Sequence, residues 1–176
     1  MEPTAADRRS FFGAAAAAAW LLAGLGRPAW ALDAASGKVL LTVTGPLANP
    51  NDHGAASFDL ALLQALPQQS FSTKTPWYAQ PRKFTGVALR DLLAAVGAPA
   101  GAALKAVALN DYRVDIPADD VATHGAMLAH LLDDKPMSVR EKGPLVIIYP
   151  FDDQPELRTA VYYSRAIWQL RSLEIR

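Results

Sequence analysis

The feature that most constrains this chain is how often its pattern is interrupted. From residue 32 onward, apolar residues alternate only over short runs, and each run ends at a turn-forming group. Lys38 to Thr44 places Val39, Leu41 and Val43 on one face, and Gly45-Pro46 stops it. Leu104 to Leu109 and Tyr112 to Ile116 flank Asn110-Asp111, a dipeptide suited to a tight turn between paired strands. Gln69 to Thr73, Met127 to Leu132 and the continuous apolar run Leu145 to Tyr149 read as further strands, with a turn at Asp133-Asp134-Lys135-Pro136. Ile167 to Arg176 reads as the closing strand. Its apolar phase switches between Leu170 and Leu173, which predicts a bulge.

Helical spacing is confined to short stretches. Ser57 is the expected N-cap of a helix sharing Phe58, Leu62 and Leu66 on one face, stopped by Pro67. Leu89, Leu92, Leu93 and Val96 predict a second helix over 87–96, ended by Gly97. Asp119 to Thr123 predicts a third, shorter one. Asn49 to Gly54, Pro76 to Arg82 and Phe151 to Thr159 read as loops, the second carrying Trp77 and Tyr78. Many short strands with few short helices predict a single mixed α+β, β-rich domain. A length of 176 residues suffices for one such domain with a real core.

Composition removes several chemistries. Seventeen basic residues balance seventeen acidic ones, so no basic stripe argues for nucleic acid. The chain has no cysteine, which excludes disulfides, thiolate catalysis, iron–sulfur clusters and cysteine-type zinc sites. His124 and His130 stand at a spacing that suits neither one helical face nor a usual metal site. The serines show no G-x-S-x-G elbow, and no glycine-rich phosphate loop occurs. The Asp119-Asp120, Asp133-Asp134 and Asp152-Asp153 dyads fit capping and solvated turns better than paired acid–base work.

The first 31 residues read as a targeting segment. Arg8-Arg9-Ser10-Phe11-Phe12 precedes an apolar run from Ala14 to Leu25, and Ala29-Trp30-Ala31 supplies an A-x-A exit. The run is shorter than the roughly 20 residues of a membrane span. The paired arginines resemble a twin-arginine signal, although Asp7 and Gly13 depart from its usual flanks; a Sec signal remains the alternative. The expected division is a signal peptide over 1–31 and one domain over 32–176. After cleavage the expectation is a periplasmic protein that is not embedded in the membrane.

Four ordered segments carry a family resemblance. Phe84-Thr85-Gly86-Val87-Ala88-Leu89-Arg90-Asp91-Leu92-Leu93, the Asn110-Asp111-Tyr112 turn, Lys142-Gly143-Pro144-Leu145 through Tyr149-Pro150, and Arg165 with Ile167-Trp168-Gln169-Leu170 together resemble the sulfite-oxidase-like molybdopterin-binding domain. The resemblance implies that fold. It also implies a cysteine ligand to molybdenum shortly before Phe84, where this chain has Ser72-Thr73-Lys74-Thr75-Pro76-Trp77. A neutral hydroxyl cannot replace a soft anionic thiolate. In this departure the chain is similar to short periplasmic proteins of the PruR type. That likeness implies a non-catalytic sensor with no covalent cofactor, a reduced pterin as ligand, and no molybdenum. It implies as partner the periplasmic domain of a membrane-bound GGDEF–EAL protein controlling cyclic di-GMP. The alternative is a molybdopterin-dependent oxidoreductase with a non-cysteine metal environment. A third reading is a binder of some other small molecule on the same scaffold.

A pterin is a flat heteroaromatic ring with a polar edge, and needs an aromatic face and a matching donor–acceptor set. Trp77 and Tyr78 are candidates for the face; packing of a loop onto the core accounts for them as well. Asn110 and Asp111 are candidates for the edge, or turn residues satisfying their own backbone. Tyr112 is a candidate to stack or donate its hydroxyl, or a strand aromatic. Thr75, in the cysteine-less segment, and Tyr149, in the Gly-Pro-apolar strand, join the candidate set. Arg165 lies near Tyr162, Tyr163 and Trp168 and could bind a carbonyl or stack; the alternative is an ion pair with Asp152, Asp153 or Glu156. Arg82, Lys83, Arg140 and Lys142 read as solvated surface.

Overall fold

The computed structural model describes residues 32–176. The expected targeting segment over 1–31, and the cleavage expected after Ala31, fall outside the described residues. None of the described helices is long and apolar enough to cross a membrane.

Two five-stranded sheets form the frame. The first comprises β1 (Leu41–Thr44), β2 (Ala56–Phe58), β5 (Leu104–Ala108), β6 (Arg113–Ile116) and β10 (Leu170–Ile175), in the order β2-β1-β10-β5-β6. β1 and β10 run parallel, while the other pairs in this sheet are antiparallel. The second comprises β3 (Gln68–Thr75), β4 (Tyr78–Ala88), β7 (Met127–Leu132), β8 (Lys135–Pro136) and β9 (Val146–Ile148). β7 pairs with β4 on one side and with both β8 and β9 on the other. The expected β-rich α+β class is the one observed.

Helices are short: α1 (Leu60–Ala65), α2 (Leu89–Ala95), α3 (Ala118–Ala122) and α4 (Ala160–Arg165). One continuous cluster of buried apolar side chains joins both sheets and the inner faces of α1 and α2. Gly86 sits where β4 crosses β7 at a register shift, and a Cβ there would run into the Leu128 carbonyl. Only glycine allows that approach, which explains its place in the Phe-Thr-Gly-Val segment.

Several local expectations need correction. The first helix begins at Leu60, not near Ser57. Ser57 is held in β2, its N–H donated to Asn51 Oδ1 at 2.7 Å and its hydroxyl to Asp52 at 3.0 Å. Asp59 is the cap instead, accepting from Leu62 N–H at 2.9 Å, Gly37 N–H at 2.7 Å and Ser36 N–H at 3.0 Å. Those donors, Leu62 and Gly37 foremost, hold its carboxyl below the usual range. The second helix starts at Leu89, because 83–88 belongs to β4.

The expected loop at 76–82 is mostly strand. Only Pro76 and Trp77 turn, and Tyr78 pairs back onto Thr75. The polar, exposed composition of Ala79 to Arg82 concealed it, because this hairpin projects with little to cover it. At 133–136, Asp133 and Asp134 both take positive φ (48° and 61°). That makes a two-residue hairpin turn, and Lys135–Pro136 returns as β8 rather than continuing the turn. The loop after Phe151 contains a short 3₁₀ turn, Pro155–Leu157, and leads into α4, which has no fully buried residue and therefore little apolar periodicity to read. The bulge in the last strand falls between Leu170 and Ser172, where the phase switch put it.

Candidate functional site

The β3–β4 turn projects Trp77 toward the segment that leads into β10. There Trp77 meets Trp168 edge-on, with centroids 5.0 Å apart, and Tyr163 at 6.0 Å. Such edge-to-face pairs are favourable arrangements of the ring quadrupoles. Gln169, next to Trp168, has φ of 53°. Its N–H donates to the Lys142 carbonyl at 3.0 Å, and its carbonyl accepts from Leu109 N–H at 2.9 Å. These bonds fix the backbone ahead of the bulge and set Trp168 across from the hairpin turn.

Beside this aromatic cluster lies an open cleft of about 280 Å³. Trp77, Trp168 and Tyr163 form its aromatic side, Ala108, Ala166 and Ile167 add apolar surface, and Asn110, Tyr112, Ser164 and Gln169 supply polar groups. The volume is at the low end for small-molecule sites, suited to a bicyclic ring rather than an extended ligand. Asn110 Oδ1 accepts from Tyr112 N–H at 3.2 Å, so it serves its own turn while its amide nitrogen faces no partner among the described residues. The Tyr112 hydroxyl donates to the Ser164 carbonyl at 3.0 Å, tying the β5–β6 connection to α4.

The eight candidate residues fall into separate groups. Trp77, Asn110 and Tyr112 line this cleft. Thr75 closes the tip of the same hairpin, 8% exposed, with its hydroxyl unpartnered among the described residues. Asp111 turns away: its backbone is left-handed (φ 64°) and its exposed carboxylate is paired with Arg171 at 2.6 Å. Tyr78 lies on the far side of Trp168, its ring 6.0 Å from the indole and under the Arg82 guanidinium at 4.7 Å. It lines a second groove with Arg140 and Lys142. Burial raises the Tyr78 phenol above its ordinary value, with Arg82 opposing.

Tyr149 and Arg165 come together, but away from the cleft surface. The Tyr149 hydroxyl donates to Asp120 at 2.8 Å, and Arg165 Nη1 reaches both Asp120 oxygens at 3.1 Å. Asp120 is therefore the partner of Arg165, in place of Asp152, Asp153 or Glu156. Asp152 is engaged elsewhere, by Arg158 and the Lys74 N–H. Arg165 also lies 5.1 Å over the Tyr162 ring. Burial, then the Asp120 carboxylate, pushes the Tyr149 hydroxyl far above its ordinary range. This buried triad anchors α4, and α4 carries Tyr163 and Ser164 to the cleft.

Trp168, Tyr163 and Gln169 escaped the candidate set. Trp168 and Tyr163 were visible as aromatics near Arg165. The signal that could have raised Trp168 is its place just before the phase switch, where a side chain leaves the sheet's regular alternation.

The segment where a metal-ligating cysteine is expected offers two buried threonines. Thr73 Oγ1 accepts from Asp152 N–H at 3.1 Å, leaving Thr75 as the free hydroxyl. No cluster of three or more His, Asp or Glu side chains suited to a metal ion occurs among the described residues. The residues here fit the flat ring of a pterin but do not supply the soft anionic donor of a protein–molybdenum bond.

The sequence profile of the oxidoreductase molybdopterin binding domain matches residues 41–151. No curated protein sequence matches the chain. Among solved structures, the sulfane dehydrogenase SoxCD from Paracoccus pantotrophus is similar, with a TM-score of 0.55 at 17% identity. The match covers 77% of this chain and 37% of that one, so this chain spans well under half of its length. That likeness speaks to the fold alone. The profile match, over more than half of the sequence, makes this chain a member of the oxidoreductase molybdopterin-binding domain family.

Proposed function

We propose that the protein binds a reduced pterin in the Trp77–Trp168 cleft and acts as a non-catalytic periplasmic sensor. The observation that carries this reading is the pairing of an aromatic, ring-sized cleft with a hairpin whose segment Ser72 to Trp77, where the resemblance implies a thiolate, holds none. The ring packs against the indoles, and Asn110 and Gln169, both in the cleft lining, read its polar edge. The ligand shifts the protein between two states only through different affinity for each. The partner that reads the state is, by the resemblance to PruR-type proteins, the periplasmic domain of a GGDEF–EAL membrane protein.

Family membership favours one rival, a molybdopterin-dependent oxidoreductase with a non-cysteine metal environment. Purification of the exported protein decides between them. Elemental analysis reads molybdenum, and fluorescence of the denatured extract reads pterin. Titration of the emptied protein with tetrahydropterin, followed by tryptophan quenching, reads affinity. Saturable quenching without stoichiometric molybdenum supports the sensor. Stoichiometric molybdenum overturns it, and absence of quenching by any reduced pterin removes the pterin.

A further inference from the structure

Behind the Trp168 wall lies the second groove, about 420 Å³, between β7–β8 and the turn at 138–142. Its floor is apolar, made by Leu132, Met137 and the Tyr78 ring. Its rim is cationic: Arg82, Lys135, Arg140 and Lys142 against Asp133 and Glu141. Arg82 is matched by Asp133, but Lys135, Arg140 and Lys142 form no ion pair among the described residues. Residues 32–176 carry 14 basic and 15 acidic residues, so this local excess of positive charge stands on a surface that is otherwise slightly negative.

The turn that carries Arg140 and Lys142 is held in place. Ser138 caps the 3₁₀ turn Val139–Glu141, accepting from Glu141 N–H at 3.3 Å. Lys142 ends it in a left-handed conformation (φ 73°), and its ammonium lies 5.4 Å over the Trp168 ring. Gln169 clamps the turn from the other side, donating its amide to the Val139 carbonyl at 2.8 Å and its N–H to the Lys142 carbonyl. Trp168 and Gln169 line the first cleft. One short segment thus lines the cleft and braces the turn that borders the groove.

We infer that this groove docks an acidic segment of a protein partner, an extended stretch with carboxylates on the rim and an apolar side chain on the floor. Opposite charges at the rim set register and speed of encounter, while the floor adds buried area. A compact inorganic anion would leave the apolar floor wet, and it has no converging set of buried donors here. The inference rests on the reading of the protein as a reporter to a partner. Because Gln169 holds the groove's turn and Lys142 lies over Trp168, docking and filling of the cleft act on neighbouring parts of one segment, and any coupling between them must act in both directions.

The test uses residues 32–176 and a fluorescein-labelled peptide alternating glutamate with leucine, read by anisotropy at low salt. The expected result is saturable binding, weakened by added salt, and about tenfold or more weaker in the Lys135→Glu/Arg140→Glu variant, which spares the contact of Lys142 with Trp168. A lysine–leucine peptide serves as control. Equal binding of both peptides, or unchanged binding in the variant, overturns the inference. So does displacement of the peptide by inorganic phosphate at comparable concentration, which makes the groove a small-anion site. Tetrahydropterin titration of the same variant keeps the two readings apart. Lost peptide binding with normal quenching is the expected pattern, whereas a wild-type protein that binds peptide but no pterin leaves the docking groove standing and overturns the cleft's ligand.

Discussion

Asp120 is the residue whose loss should be felt most widely. It is 2% exposed and carries three hydrogen bonds, one from Tyr149 and two from Arg165. Asp120→Ala leaves the Tyr149 hydroxyl without its acceptor and the Arg165 charge without its counter-ion. Breaking a fully buried ion pair costs about 3–5 kcal/mol. The Arg165 side chain is 20% exposed, so water recovers part of that, and about 2–3 kcal/mol is the expected share. The orphaned phenol adds about 1 kcal/mol. A total near 3–4 kcal/mol lowers the melting temperature of a domain this size by about 6–16 °C. Urea denaturation of residues 32–176 at neutral pH measures it. Replacing both members, Asp120→Ala/Arg165→Met, removes the stranded charge and should recover about half of the loss. Asp120→Asn, which keeps an acceptor for Tyr149, should fall between and serves if the alanine variant does not fold. A loss below about 1 kcal/mol in Asp120→Ala, or a double variant worse than the single, would refute the triad as the anchor of α4.

Three further outcomes follow from other parts of the structure. Trp77→Ala and Trp168→Ala should each weaken tetrahydropterin binding about 10- to 100-fold, while Asp111→Ala, paired outside the cleft with Arg171, should leave affinity within about twofold by the same quenching titration. Gly86→Ala should destabilise the domain by about 2–3 kcal/mol in urea, because its Cβ meets the Leu128 backbone rather than a flexible side chain. His130 is 4% exposed, its Nε2 shares a 2.8 Å bond with Gln68, and burial lowers its pKa below the ordinary 6.5. The folded protein therefore binds this proton less readily than the unfolded chain. Its stabilising contribution is full above pH 6.5 and is lost as the pH falls toward the folded value. His130→Leu should flatten that acid limb, measured as the urea midpoint of variant and wild type above and below this pH.

The fold was legible wherever burial imposed a period. β5 and β10 announced themselves because alternate residues, such as Leu104, Ala106 and Ala108, are buried while their neighbours face outward. Even the bulge at Leu170–Ser172 was written as a change of phase. The tip of β4 was not, since Ala79 to Arg82 forms a strand by pairing with β3 and buries little. α4 was hidden for a related reason: polar bonds to Asp120 and the Tyr112 bridge hold it, and polar bonds leave no periodic mark. The cleft was half legible. Aromatic residues suggested Trp77, but Asn110 and Asp111 differ only in backbone sign and in the reach of Arg171, which depends on β10 lying beside β5. The partner of Arg165 was a question of long-range geometry, and three nearer carboxylates in sequence were the wrong ones.

The parallel pairing of β1 with β10 has a consequence for how this protein comes into being. The strand nearest the end of the chain is the central strand of the first sheet, flanked by Leu41–Thr44 on one side and Leu104–Ala108 on the other. The β1–β2 and β5–β6 pairs can form without it, but they join into one sheet only when residues 170–175 arrive, across more than a hundred residues of intervening chain. A ribosome-bound chain lacking those residues has β1 and β5 edges bare, with fully buried Leu41, Val43 and Ala106 among the side chains left uncovered. Shortening the protein from this end is therefore no trimming. It withdraws the keystone strand and leaves two half-sheets to be held by whatever chaperone the cell provides.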